Sequence, residues 1–186
     1  MRRLFLFVLC LGCTTACLAQ QPKSSPAPDH ELQITMQSLN SDHQLTNKDG
    51  TKLPYNVSIS DVEVGLTSCL LTWKEHVFLG TLTQVRTNSI NIKEIASINT
   101  VPSPNSKLIV DPPVQIVRIK MMPEAATSQV IADFDNNGRP HGETTIQHPN
   151  LFHIYAPTPA QAADLSAQLL RLTLTSCRAP ATPETK

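Results

Sequence analysis

Asp133-Phe134-Asp135-Asn136-Asn137-Gly138 is the string in this chain that most resembles a site. It sets oxygen-bearing side chains at alternate positions ahead of a glycine, the spacing that opens a calcium loop. The candidate ligands are Asp133, Asp135, Asn137 and Glu143. The closing acid of such a loop belongs at position 144, which is Thr144, and Pro140 interrupts the run. The flanks alternate like strands rather than helices. The competing and favoured reading is a hairpin with Asn137-Gly138 at its tip.

The second chemical group is cysteine. Cys10, Cys13 and Cys17 lie near the N-terminus, and Cys69 and Cys177 lie far apart in the body of the chain. Met1-Arg2-Arg3 is followed by the apolar run Leu4 to Gly12 and the small-residue stretch Cys13 to Ala19. That order is the layout of a secretory signal peptide, with cleavage expected after Ala19. The apolar run is shorter than the roughly 20 residues a membrane span needs. Acylation at Cys13 or Cys17 is the alternative fate of this leader, making a lipoprotein; neither cysteine has the leucine expected three positions earlier.

Export moves the chain into an oxidising compartment, where the two remaining cysteines have one intramolecular pairing, Cys69 with Cys177. A link across about a hundred residues restrains the unfolded chain by roughly 4.7 kcal/mol in the chain-entropy picture. A metal site is the weaker reading of these cysteines, because no further soft ligands stand at useful spacing. The six histidines are scattered without HxH, HxxxH or HExxH spacing.

Charge and composition exclude several classes. Fifteen Lys and Arg balance fifteen Asp and Glu. Without residues 1–19 the balance becomes 13 against 15, a net charge of −2. A nucleic-acid binder needs a basic face that this chain does not carry. The sequence holds no Gly-x-Ser-x-Gly elbow, Walker loop or dinucleotide fingerprint. The 40% hydrophobic content supplies one core. No cofactor is implied.

The elements that would position these residues are mostly strands. Residues 20–30 read as a Pro- and Ser-rich disordered tether, 31–178 as one globular domain and 179–186 as a disordered tail. Leu32, Ile34 and Met36 alternate as in a strand, and 40–52 reads as a polar loop. Val57 and Ile59 alternate, then the phase slips at Ser60-Asp61 before Val62 and Val64, as at a bulge. Strands are expected over 69–74, 77–86, 89–92, 114–121, 129–134 and 151–155. Thr158-Pro159-Ala160-Gln161 is a capping box with proline at the first helical position. Beyond it Ala162, Leu165, Leu169, Leu170, Leu172 and Cys177 gather on one broad arc of a helix. The expected class is α+β: antiparallel strands in a curved sheet or small barrel, closed by one C-terminal amphipathic helix.

Ser89-Ile90-Asn91-Ile92-Lys93-Glu94-Ile95-Ala96-Ser97-Ile98, and Phe152-His153-Ile154-Tyr155 leading into the capped helix, resemble elements of the pleckstrin-homology-like superfold over 57–178. The resemblance implies a curved antiparallel barrel with a final helix. Families of that fold often bind inositol phosphates through a basic loop between early strands. The early strands here offer only Lys74 and Arg86, with Glu63 and Glu75 beside them, so headgroup binding is not carried over.

The functional expectation is a non-enzymatic binding or interaction module of the bacterial cell envelope, periplasmic or extracellular, soluble or lipid-tethered. Its partner would be a protein or small molecule. The alternatives are an envelope hydrolase with a non-contiguous site and a calcium-stabilised structural module.

Overall fold

The computed structural model describes residues 27–46, 49–102, 109–111 and 114–177. Ten strands form two antiparallel sheets with a helix at each end of the described chain. The larger sheet runs β6-β1-β2-β3-β4-β8-β9 and the smaller β10-β7-β5. The class is the α+β one expected. The two sheets do not close into one barrel.

The first helix, α1 (Pro28–Gln37), replaces the strand expected over 31–39. Pro28 opens it at a position where no amide is needed, and Asp29 and Glu31 favour the positive end of the helix dipole. Leu32 and Met36 are buried, four residues apart, whereas Ile34 is 52% exposed. The apparent alternation was therefore one buried helical stripe with an exposed isoleucine between its members. Pro28–His30 of the expected tether belong to this helix. Residues 20–26 and 179–186 lie outside the described residues.

Strand β1 (Ser41–Thr46) occupies part of the expected polar loop. It pairs with β2 (Lys52–Gly65), with His43 opposite Tyr55. The register of β2 against β3 (Leu70–Leu79) shifts between Ser60 and Glu63, and Asp61 takes a positive φ of 50°. This is the bulge read from the phase slip. It keeps Val57 and Ile59 before it, and Val62 after it, all buried. Strands β3 and β4 (Leu82–Asn91) join through Gly80-Thr81, with Leu79 opposite Leu82. Gly80 has φ +66°, which a two-residue hairpin turn requires and glycine adopts without strain. The single turn here corrects the expected break between 74 and 77.

The Ser89–Ile98 segment carries the chain from one sheet to the other. Strand β4 ends at Asn91, a 3-10 turn covers Ile92–Glu94, and β5 (Ile95–Pro102) opens the small sheet. The Asn91 side chain accepts from the Lys93 amide at 3.0 Å, so the turn is capped locally. Short β6 (Ile109–Asp111) pairs with β1. Strand β7 (Gln115–Met121) is the centre of the small sheet, between β5 and β10 (Leu151–Ala156). Between them β8 (Ser128–Phe134) and β9 (Thr145–Gln147) return to the large sheet beside β4.

Helix α2 (Pro159–Thr175) starts as the capping box predicts, with the Thr158 hydroxyl accepting from the Gln161 amide at 3.2 Å. Ala162, Leu165, Leu169 and Leu172 are fully buried. Leu170 departs from the expected arc and is 51% exposed. The helix packs on α1 and on β5, β7 and β10. Arg171 reaches Glu31 across the helix pair at 2.5 Å. Beneath the helices one core joins both sheets around Trp73, whose ring meets Phe152 edge-on at 5.7 Å between centroids. No helix among the described residues is long and apolar enough to cross a membrane.

Candidate functional site

The polar residues that stand out are those at inward positions of the strands. On β3, Leu71, Trp73, Glu75 and Val77 alternate into the interior, and all are buried. Glu75 is the exception in type: a carboxylate in an apolar register, only 2% exposed. Such a group is costly unless compensated. Its cross-strand partner on β4 is Arg86, so both side chains leave the sheet on one face. The Arg86 Nη1 donates to Glu75 Oε2 at 3.4 Å, and Arg86 Nε donates to Gln84 Oε1 at 2.5 Å. Gln84 Nε2 in turn donates to Asp133 Oδ1 at 2.9 Å. Asn88, opposite Trp73, is buried and accepts from Gln129 Nε2 at 2.7 Å. The inner face of β4 thus carries a polar line, Gln84-Arg86-Asn88, met by Glu75 of β3 and by Asp133 and Gln129 of β8.

The small sheet brings a second set of side chains to the same place. Phe152 and Ile154 of β10 point into the core, and His153 and Tyr155 point to the other face. His153 lies opposite Arg118 of β7, and Tyr155 lies opposite Ile116. Tyr155 meets Tyr55 of the large sheet edge-on at 6.3 Å, and Tyr55 meets His43 at 6.5 Å. Aromatic rings therefore bridge the two sheets above the Glu75-Arg86 pair.

The electrostatics bind these residues into one cluster. Burial pushes the Glu75 carboxyl up to about 7, with the Arg86 charge and hydrogen bond pulling the other way. Burial raises the Tyr55 and Tyr155 phenols, and the Glu75 charge adds to both. Burial lowers the His153 imidazole, and the charges of Arg118 and Arg86 lower it further. Two guanidinium groups from different sheets thus act on one imidazole. Two buried atoms of the cluster, Glu75 Oε1 and Arg118 Nε, have no hydrogen-bond partner among the described residues.

The residues singled out from the sequence fall elsewhere. Cys69 and Cys177 are joined by a disulfide, Cα to Cα 5.5 Å, across 108 positions. Cys69 sits in the turn just before β3 rather than within the strand, with a positive φ of 56°. The bond fastens the end of α2 to the start of β3, on the core side of the molecule. Cys13 and Cys17 lie outside the described residues. The Asp133–Gly138 string is a turn: Asp135 Oδ1 accepts the amides of Asn137 and Arg139, both at 2.8 Å. Gly138 closes it by donating to the Asp135 carbonyl at 3.0 Å. Asp133 is held by Gln84, Glu143 is exposed beyond the turn, and the set Asp133, Asp135, Asn137 and Glu143 is not assembled round a centre. No group of three or more His, Cys, Asp or Glu able to hold a metal occurs among the described residues.

Two further features were not visible in the sequence. Ser60 Oγ lies 3.1 Å from His76 Nε2 across β2 and β3. The nearby acid, Asp61, is taken by Lys74 at 2.8 Å, and no hydrogen bond among the described residues orients the other His76 ring nitrogen. This pair lies on the face of β3 opposite Glu75 and lacks the third member of a catalytic triad. A depression of about 650 Å³ lies at the β3-β4 turn, lined by Phe78, Thr83, Val85, Phe134 and Asn136. It is separate from the Glu75 cluster. The one clue to the cluster was the acid in the apolar alternation Leu71, Trp73, Glu75, Val77.

No protein-family model, curated protein or solved structure matches this chain.

Proposed function

We propose that the chain is an exported, non-enzymatic binding module of the cell envelope that holds its ligand at the seam between the two sheets. The observation that carries this reading is Glu75. A buried carboxyl with one unpartnered oxygen, paired at 3.4 Å with an arginine, is a poor device for stability. Apolar residues would pack the same register at lower cost. Convergent polar groups with perturbed titration are what a binding site requires. The leader of residues 1–19 and the Cys69-Cys177 bond both support an oxidising compartment. The strand-turn-strand passage at 89–98 and the capped helix after β10 support the pleckstrin-homology-like arrangement in the same sense.

A binding role is favoured over serine- or cysteine-type hydrolysis because no Ser, Thr or Cys belongs to the described cluster. Glu75, His153, Tyr55 and Tyr155 are acids and bases, and the Ser60-His76 contact is on the other face of the sheet.

The test is expression of the full chain with its own leader, followed by fractionation and determination of the mature N-terminus. Release into the periplasm or medium with Gln20 first is expected. An acylated N-terminal Cys13 or Cys17 would give the tethered form of the same reading. An intact leader on cytoplasmic, reduced protein would overturn it.

A further inference from the structure

We propose that the seam is a receptor for a small oxyanion, a carboxylate or a phosphate or sulfate group, held by Arg118 and Arg86 beside His153. This rests on reading the chain as a binding module and names the chemistry of its ligand.

Arg118 makes no ion pair with any described residue; the three pairs present are Lys74-Asp61, Arg86-Glu75 and Arg171-Glu31. Its Nε is buried and has no acceptor among the described residues. A guanidinium presents a planar fork of donors matched to an oxyanion, and Nε-H is one tine of that fork. The side chain cannot relieve itself by losing its proton. Its cross-strand neighbour on one side is His153 and on the other Asn99, neither of them an acid.

The charge of Arg86, on the large sheet, is also felt by the His153 imidazole. The one acid partner of Arg86 among the described residues, Glu75, is met at the long distance of 3.4 Å, through one nitrogen. Two guanidiniums thus stand against Glu75 and against Asp133, whose carboxylate is already engaged by Gln84. The rest of the mature chain leans acidic, so the preference is local and not a property of net charge. An anion held by Arg118, within reach of the Arg86 charge, would satisfy Arg118 Nε and favour protonation of His153. Tyr155, two residues along β10 from His153 on the same face, accepts from Tyr55 and remains protonated, so its own hydroxyl serves as a further donor.

The test is a titration of the oxidised chain, followed by NMR of the His153 imidazole and the Arg118 Nε-H. Inorganic phosphate and acetate are added separately, with ionic strength held constant by sodium chloride. A saturable shift of both signals with either anion is expected; which anion does so separates the phosphate source from the carboxylate one. Arg118→Gln should weaken the response about tenfold, the worth of a charge-assisted hydrogen bond. Lys120→Gln, at an exposed position two residues along the same strand, should leave it unchanged. No shift with either anion, or equal weakening by both variants, overturns the proposal. A parallel arm with glucose and acetamide separates the two readings. If these neutral probes move the Tyr155 and Trp73 signals and the anions do not, the oxyanion is wrong and the module stands. If nothing moves any of these signals, both fall.

Discussion

Glu75 and Arg86 face each other across β3 and β4, with Arg86 Nη1 3.4 Å from Glu75 Oε2, in a register otherwise filled by Leu71, Trp73 and Val77. The pair is fixed by the hairpin at Gly80-Thr81, which sets the alignment of the two strands. One residue of slip would turn Glu75 to solvent and His76 inward. The alignment of Glu75 with Arg86 is thus a direct product of the two-residue Gly80-Thr81 turn.

Stability should report the buried carboxyl through pH. The folded-state value for Glu75, about 7, lies above the ordinary carboxyl value of 4.5. The folded protein then holds more protons than the unfolded chain between those values, so the Glu75 contribution falls as pH rises from about 4.5 to 7. His153 is lowered and acts in the opposite sense, adding stability as pH rises through its ordinary value of 6.5. Glu75→Gln removes the first contribution and leaves the second. Urea unfolding from pH 4.5 to 8 should show the variant gaining on the parent as pH rises. Parallel curves would contradict the assignment.

The Cys69-Cys177 bond should be visible as a mass two hydrogens lighter than the reduced chain. Replacing both cysteines with alanine should cost 2–5 kcal/mol, as is typical of a native bond closing a long loop. Two free thiols in the purified full chain, or an unchanged urea midpoint in the variant, would count against it.

Trp73 is the centre of the core and the sole tryptophan, so its fluorescence reports the packing against Phe152. Trp73→Phe should be tolerated at modest cost. Phe152→Ala should lower stability by about 3–5 kcal/mol and redshift the Trp73 emission. A stable variant with unchanged emission would mean that the two rings do not form the joint between the sheets.

Calcium should do nothing to the Asp133–Gly138 turn. Thermal melts with and without millimolar calcium should coincide, because the Asp135 carboxylate is already engaged by the Asn137 and Arg139 amides. Asp135→Ala should destabilise by about 1 kcal/mol in either condition. A calcium-dependent rise in melting temperature that Asp135→Ala abolishes would restore the metal reading.

Much of the fold was legible where period and punctuation agree. The phase slip at Ser60-Asp61, the capping box at Thr158 and the Cys69-Cys177 pairing each depend on local chemistry or on a single possible partner. The α1 helix is ambiguous in the sequence because Leu32, Ile34 and Met36 fit a two-residue period while Leu32 and Met36 alone fit a helical one, and only the exposure of Ile34 decides between them. Strand β1 was hidden because Ser41, Asp42 and Gln44 are polar, and its pairing with β2 is a tertiary fact. The seam was the least legible feature. Arg118 and His153 come from one sheet and Glu75 and Arg86 from the other, and nothing in their sequence spacing brings them together.

The central claim is that the polar seam is kept for binding rather than for folding. Urea unfolding of the double variant Glu75→Leu with Arg86→Met, at pH 7 and with the disulfide intact, tests it most directly. A buried ion pair exchanged for apolar side chains of similar size is often neutral or stabilising by about 1–4 kcal/mol. The account predicts an unfolding free energy equal to or above that of the parent. A loss of about 3 kcal/mol or more would show that the Glu75-Arg86 pair holds the fold together and would contradict it.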